Sequence, residues 1–202
     1  MAKNNITIMD NQYIKERIRE SIYVKSSILE DEVLVFTIDI VAKEMAATFK
    51  NGGKVLLCGN GGSAANAQHI ASCLSGYFYY DRPPLSAEAL HSNPSYMTLV
   101  SNDYSFDEAY ARMTLASGNP GDMLIGISTS GNSKNVINAL AMANRIGMKT
   151  IGITGESGGS MAEYCSQLIN VQSQNRPRLH EAHMMVGNIL CEIVESILYK
   201  RD

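Results

Sequence analysis

The chain has 202 residues, 45% of them apolar, which suits one sizeable core and a single domain. A formal net charge of −3 leaves no basic footprint for direct binding to DNA or RNA and no polybasic patch for a membrane surface. Cys58, Cys73, Cys165 and Cys191 stand apart without CxxC spacing, and no N-terminal apolar stretch reads as a signal peptide or membrane span. The expectation is a reducing cytoplasm, with most thiols acting as small buried hydrophobes.

In chain order, Asn11 to about Tyr23 reads as a charged amphipathic helix. A longer helix follows from about Ile28, with Val33, Val35, Phe36, Ile38, Ile40, Val41 and Met45 apolar nearly all round, and ends at Asn51-Gly52-Gly53. So apolar a helix must bury more than one face, against another subunit or against a second helix of the same chain. Lys54 to Cys58 is a first strand, and Gly59-Asn60-Gly61-Gly62-Ser63 is a turn into a helix from Ala64 to Leu74. The spacing is not GxGxxG, so no nucleotide cofactor is expected. Ser86 to Leu90 forms a short strand, Asn102-Asp103 a polar loop and Asp107 to Ala116 a helix.

Met123, Leu124, Ile125 and Ile127 form an apolar run without alternation, the pattern of a strand covered on both faces. Ser128-Thr129-Ser130-Gly131-Asn132-Ser133 then offers four hydroxyls and a glycine ahead of an amphipathic helix, with Ser133 in the N-cap position. Helix N–H groups and the positive end of the helix dipole favour an anion there, although an ordinary polar turn uses the same residue types. No GxxxxGK[ST] arrangement is present, so this is not a nucleoside-triphosphate loop. Thr150 to Ile153 and Leu168 to Val171 are further strands, and Thr154-Gly155 to Gly158-Gly159 repeats the loop design. The last helix runs from about Pro177 to Tyr199. Two helices followed by alternating strands and helices predict an α/β fold: a three-layer αβα sandwich with a five-stranded parallel sheet. The loops at the strand ends place a small anionic ligand in the crevice edge.

The segments CGNGGSAANAQH (Cys58 to His69), SNDYSFDE (Ser101 to Glu108), GISTSGNSKNVI (Gly126 to Ile137), ITGESGG (Ile153 to Gly159) and RLHEAH (Arg178 to His183) resemble the phosphoheptose isomerase group of the sugar isomerase (SIS) domain superfamily. The likeness runs from about Asn51 to Leu198 and implies one SIS domain over residues 1–202, with helices of about 10–50 as the oligomerisation element. It implies a homotetramer that interconverts sedoheptulose 7-phosphate and an aldoheptose 7-phosphate, on the way to the heptose of lipopolysaccharide. Ser128, Thr129, Ser130 and Ser133 would hold the phosphate. Asn60, Gly61, Gly62, Ser63, Asn102, Asp103 and His180 would line the sugar.

The isomerases resembled set a metal between a His, a Glu four residues on, a Gln at the start of the last helix and a His eight residues later, and the Glu and last His also move protons. Here those positions are His69, Cys73, His180 and Asn188. Asn cannot titrate, so the acid/base pair is missing. One reading rewires the centre: His69, Cys73 and His180 as a three-donor zinc set with an open position, and His183 or Glu181 moving the proton; His69, His180 and His183 are the catalytic candidates. The alternative makes Cys73 core filler, His69 a hydrogen-bonded His, and His180 and His183 exposed at a helix start. A second resemblance, carried by SAANAQH, Asn188 and LCEIVE, is to the initiator-associating protein DiaA. It implies a non-catalytic tetramer that binds the replication initiator DnaA. A stand-alone phosphosugar sensor is the third reading. The Tyr77 to Tyr80 patch beside Asp81-Arg82-Pro83-Pro84 is expected at a subunit interface, Met184 and Met185 as core or interface filler, and His91 as a solvated loop His.

Overall fold

The computed structural model describes residues 11–199. Its five strands are β1 (Val55–Gly59), β2 (Ala87–Ala89), β3 (Met123–Ser128), β4 (Lys149–Gly155) and β5 (Gln167–Val171), all parallel in the order β2-β1-β3-β4-β5. The helices are α1 (Asn11–Glu30), α2 (Glu32–Lys50), α3 (Gly62–Ser75), α4 (Pro94–Asp103), α5 (Ala109–Ser117), α6 (Lys134–Arg145) and α7 (Arg176–Leu198). This is the expected α/β sandwich.

Strand side chains alternate between two apolar layers. Val55, Leu57, Met123, Ile125, Ile151 and Ile153 pack with α1, α2, α3 and α7, whereas Leu56, Cys58 and Leu124 pack with α6 and Tyr110. Burial on both faces explains the unbroken apolar runs. The second layer meets the sheet closely: a Cβ at Gly126 would lie 2.8 Å from Val136 Cγ1. The chain leaves β1 toward β2 on one side and returns to β3 on the other. The topological switch therefore falls between β1 and β3, and ligands of open α/β sheets bind outside the strand ends at such a point.

Three expectations need correction. The first break in helix comes at Asp31, not between Tyr23 and Ile28, because the Asp31 carboxylate accepts the Leu34 N–H at 3.0 Å and caps α2. The segment containing Asn102 and Asp103 is helical. Asn93 caps α4 through the Tyr96 N–H at 3.1 Å and Pro94 sits in its first turn. His183 is fully buried in α7 rather than exposed.

The apolar face of α2 is divided. Leu34, Ile38, Val41 and Met45 are buried in the layer shared with α7, while Val33 and Phe36 stay 76% and 63% exposed. Ile14, Ile18 and Ile22, spaced four apart on α1, are also exposed. The Tyr77 to Tyr80 segment is tied down by Arg82, whose guanidinium is buried and donates to Glu195 at 2.9 Å. Glu195 also accepts the Phe78 and Tyr79 N–H groups. Among the described residues no helix is long and apolar enough to cross a membrane.

Candidate active site

At the carboxyl ends of β1 and β3 lies a cavity of about 320 Å3 lined by Asn60, Gly61, Gly62, Ser63, Ile127, Ser128, Thr129, Ser130, Ser133, Arg176 and His180. Both loops singled out from the sequence line it, together with the start of α7. An amide pair joins the two loops: Asn60 Nδ2 donates to Asn135 Oδ1 at 2.8 Å, and Asn135 Nδ2 returns the bond to Asn60 Oδ1 at 2.9 Å. Asn135 is buried in the first turn of α6, so the pair fixes the β1 loop relative to the α6 N-terminus.

The hydroxyl loop is braced at its tip. Gly131 has φ +67, and a Cβ there would fall 2.0 Å from Gly158 O, so only glycine lets the β3 and β4 loops meet. Asn132 N–H donates to Ser130 Oγ at 3.2 Å and Ser160 N–H donates to Asn132 Oδ1 at 2.9 Å. Ser133 occupies the N-cap position, yet its hydroxyl caps no N–H. It meets Ser128 Oγ at 3.0 Å instead. With the hydroxyl not spent on the backbone, the first turn of α6 keeps N–H donors for an anion.

His180 reaches the cavity because residue 62 has no side chain: a Cβ on Gly62 would lie 2.8 Å from His180 Cε1 and Nε2. Asn66 Nδ2 donates to the His180 carbonyl at 3.1 Å and pins that turn of α7 against α3. His180 Nδ1 is buried without a hydrogen-bond partner among the described residues. Burial, then the nearby Arg176 guanidinium, holds the imidazole below its ordinary pKa, so it is neutral at pH 7.

The other candidates stand elsewhere. His69 Nε2 is 2.7 Å from Asn188 Oδ1, an atom that only accepts, so in this contact Nε2 is the donor. Cys73 Sγ lies 3.5 Å from the same nitrogen, and burial raises its thiol above the ordinary value. His183 Nε2 donates to Thr154 O at 3.1 Å, and burial pushes its pKa down to about 4. Glu181 pairs with Arg178 at 2.8 Å. Asn102 and Asp103 are exposed at the end of α4, bonded to each other at 2.8 Å, and do not line the cavity. His91 does not line it either.

Nor does a metal set assemble. Among the described residues no group of three or more His, Cys, Asp or Glu side chains is placed to hold an ion, so His180 does not join His69 and Cys73. Asn188, at the fourth position the resemblance points to, spends its amide oxygen on His69. Sequence reasoning missed Arg176. Among the described residues it is the sole Lys or Arg lining the cavity, and it also lines a neighbouring cavity of about 370 Å3 with Thr129, Ser130, Asn132, Glu156, Ser157, Ser173, Gln174 and Leu179.

The family model described as SIS domain matches residues 22–155, well over half of the chain. A phosphoheptose isomerase of Aneurinibacillus thermoaerophilus is 46% identical over 190 residues, covering 94% of this chain and 96% of the relative. The chain belongs to the phosphoheptose isomerase family of SIS-domain proteins. Solved phosphoheptose isomerases superpose over nearly their full length. The Neisseria gonorrhoeae enzyme is 37% identical with a TM-score of 0.86, covering 92% of this chain and 98% of that one. The Francisella tularensis enzyme is 36% identical with a TM-score of 0.88, covering 93% and 100%. Within the phosphoheptose isomerase family, then, this chain carries Cys73 and Asn188 as a settled hydrogen-bonded cluster with His69, apart from the cavity-lining His180.

Proposed function

We propose that the chain binds a phosphorylated heptose of the sedoheptulose 7-phosphate type and interconverts its ketose and aldose forms, with His180 moving the proton. The observation that carries this is the single cavity lined by the hydroxyl loop, the Gly61-Gly62-Ser63 turn and His180 together. The phosphate sits on Ser128, Thr129, Ser130 and Ser133 at the α6 N-terminus. The sugar runs past Asn60 and Ser63 toward α7. Aldose–ketose interconversion removes a proton from the carbon beside the carbonyl and returns it to the neighbouring carbon. A neutral imidazole does both steps in turn. His180 Nε2 takes the carbon-bound proton as the enediolate forms and gives it back at the adjacent carbon, while the hydroxyl proton passes from one enediol oxygen to the other. Asn60 and Ser63, which line the same cavity, are the donors assigned to the enediolate oxygens.

The exposed apolar rows of α1 and α2 support assembly into a homotetramer, which sedimentation of the purified protein tests. The family's metal has no role in this reading, so turnover is expected to be unchanged by a chelator or by added zinc. Incubation with sedoheptulose 7-phosphate is the test: conversion to the aldoheptose 7-phosphate supports the proposal, and no conversion at any metal level ends it. The Ser128→Ala, Ser130→Ala double variant is expected to raise KM about tenfold or more, since it removes two donors to a charged group.

A second reading keeps the pocket and drops the chemistry: a DiaA-like tetramer that binds the replication initiator DnaA. Cys73 and Asn188 at the expected acid/base positions favour it. Retention of the initiator by a protein that binds sedoheptulose 7-phosphate without converting it would select this reading over the first.

A further inference from the structure

Arg176 is absent from the sequence pattern that pointed to the phosphate loop, yet among the described residues it is the one Lys or Arg side chain lining either of the two cavities at the strand ends. Among the described residues it makes no hydrogen bond or ion pair, whereas neighbouring Arg178 pairs with Glu181 at 2.8 Å and donates to the Arg17 carbonyl at 2.6 Å. The carboxylate that shares a cavity with it, Glu156, is held by Gln174. Arg176 is also the first residue of α7. The Asn175 side chain does not cap that helix, and no acidic residue lies in its first turn. A cation at the positive end of a helix is unfavourable, and an anion between the two removes the conflict. Thr129 and Ser130, the tip of the hydroxyl loop, border both cavities beside it.

We infer that Arg176 is the phosphate-selecting residue of this site, its guanidinium binding a phosphoryl oxygen of the ligand from the α7 side while the Ser128–Ser133 loop and the α6 N-terminus hold the others. The assignment rests on the phosphosugar reading of the cavity. A guanidinium presents paired N–H donors that match a phosphate edge, so the residue discriminates phosphorylated from neutral sugars. A hydroxyl cup alone offers no such charge selection.

The test is calorimetric titration of the full-length protein with inorganic phosphate and with sedoheptulose 7-phosphate, alongside KM and kcat. Arg176→Ala is expected to weaken both ligands about tenfold and to raise KM to match, with kcat within about twofold, because the contact is equal in ground and transition states. Arg176→Lys is expected to recover part of the loss, since it restores charge without the paired donors. Wild-type affinity for phosphate is expected to fall more steeply with salt than that of Arg176→Ala. Arg178→Ala, two residues along and outside both cavities, is expected to match wild type. Unchanged affinity in Arg176→Ala, with the Ser128→Ala, Ser130→Ala variant impaired, overturns the role of Arg176 and leaves the pocket reading standing. Unchanged affinity in both variants overturns both.

Discussion

Helix α7 presents two polar clusters to α3, and they differ in what remains available for chemistry. Near its middle, His69 Nε2 donates to the Asn188 amide oxygen, and Cys73 stands 3.5 Å from the same nitrogen with its thiol raised by burial. Two turns earlier, His180 enters a cavity with one buried nitrogen unpartnered and a neutral ring. The family resemblance directs attention to the first cluster, and the geometry directs it to the second.

The strongest way to break that contrast is to remove each cluster separately. His180→Ala is expected to lower kcat by about 10^2 to 10^4-fold with the fold intact, the usual range for losing a general acid/base. His69→Ala should leave kcat within a few-fold, as kinetics with sedoheptulose 7-phosphate would show. Equal losses in the two variants would erase the distinction.

A second test uses pH and the other histidine of α7. His183 is buried, and its pKa of about 4 lies below the ordinary 6.5. The unfolded chain therefore binds a proton that the folded chain refuses between those values. Stability from this residue is fully present above pH 6.5 and is lost as the pH falls toward 4, by about 3 kcal/mol at most. Urea unfolding at pH 7 and pH 4.5 measures it, and His183→Gln should flatten the dependence.

Gly62→Ala sharpens the comparison without touching a titratable group. The added Cβ meets the His180 ring, the movable end of a side chain, so the fold should survive while the ring shifts. A misplacement of that kind is expected to cost about 10 to 100-fold in kcat with a far smaller change in KM. The smallest effect is reserved for Asn188→Ala. It removes one hydrogen bond from a half-buried His and should cost about 1 kcal/mol in denaturant melts, with little change in kcat.

Much of this architecture was legible in the residues. Both-face burial wrote β1 and β3 as unbroken apolar runs, and the loops after them carried their glycines and hydroxyls in plain view. The α4 helix was missed although Asn93-Pro94 is an ordinary helix start, because its mixed interior buries only Val100. The Asp31 cap was passed over since apolar residues continue on both sides of it. Arg176 and the Gly62–His180 contact were beyond reach for a different reason. Both arise where α7 begins against loops far away in the chain, and no local pattern records that meeting. The pairing of His69 with Asn188, 119 residues apart, is equally invisible until α3 and α7 are packed.

The most direct measurement is hydrogen exchange at carbon. Sedoheptulose 7-phosphate incubated in D2O with the wild-type protein should lose the proton signal beside its carbonyl, as followed by NMR. The same signal should decay with His69→Ala and with chelator present, and persist with His180→Ala. Decay at the wild-type rate in His180→Ala, or no decay with the wild-type protein, would contradict the assignment of proton transfer to His180.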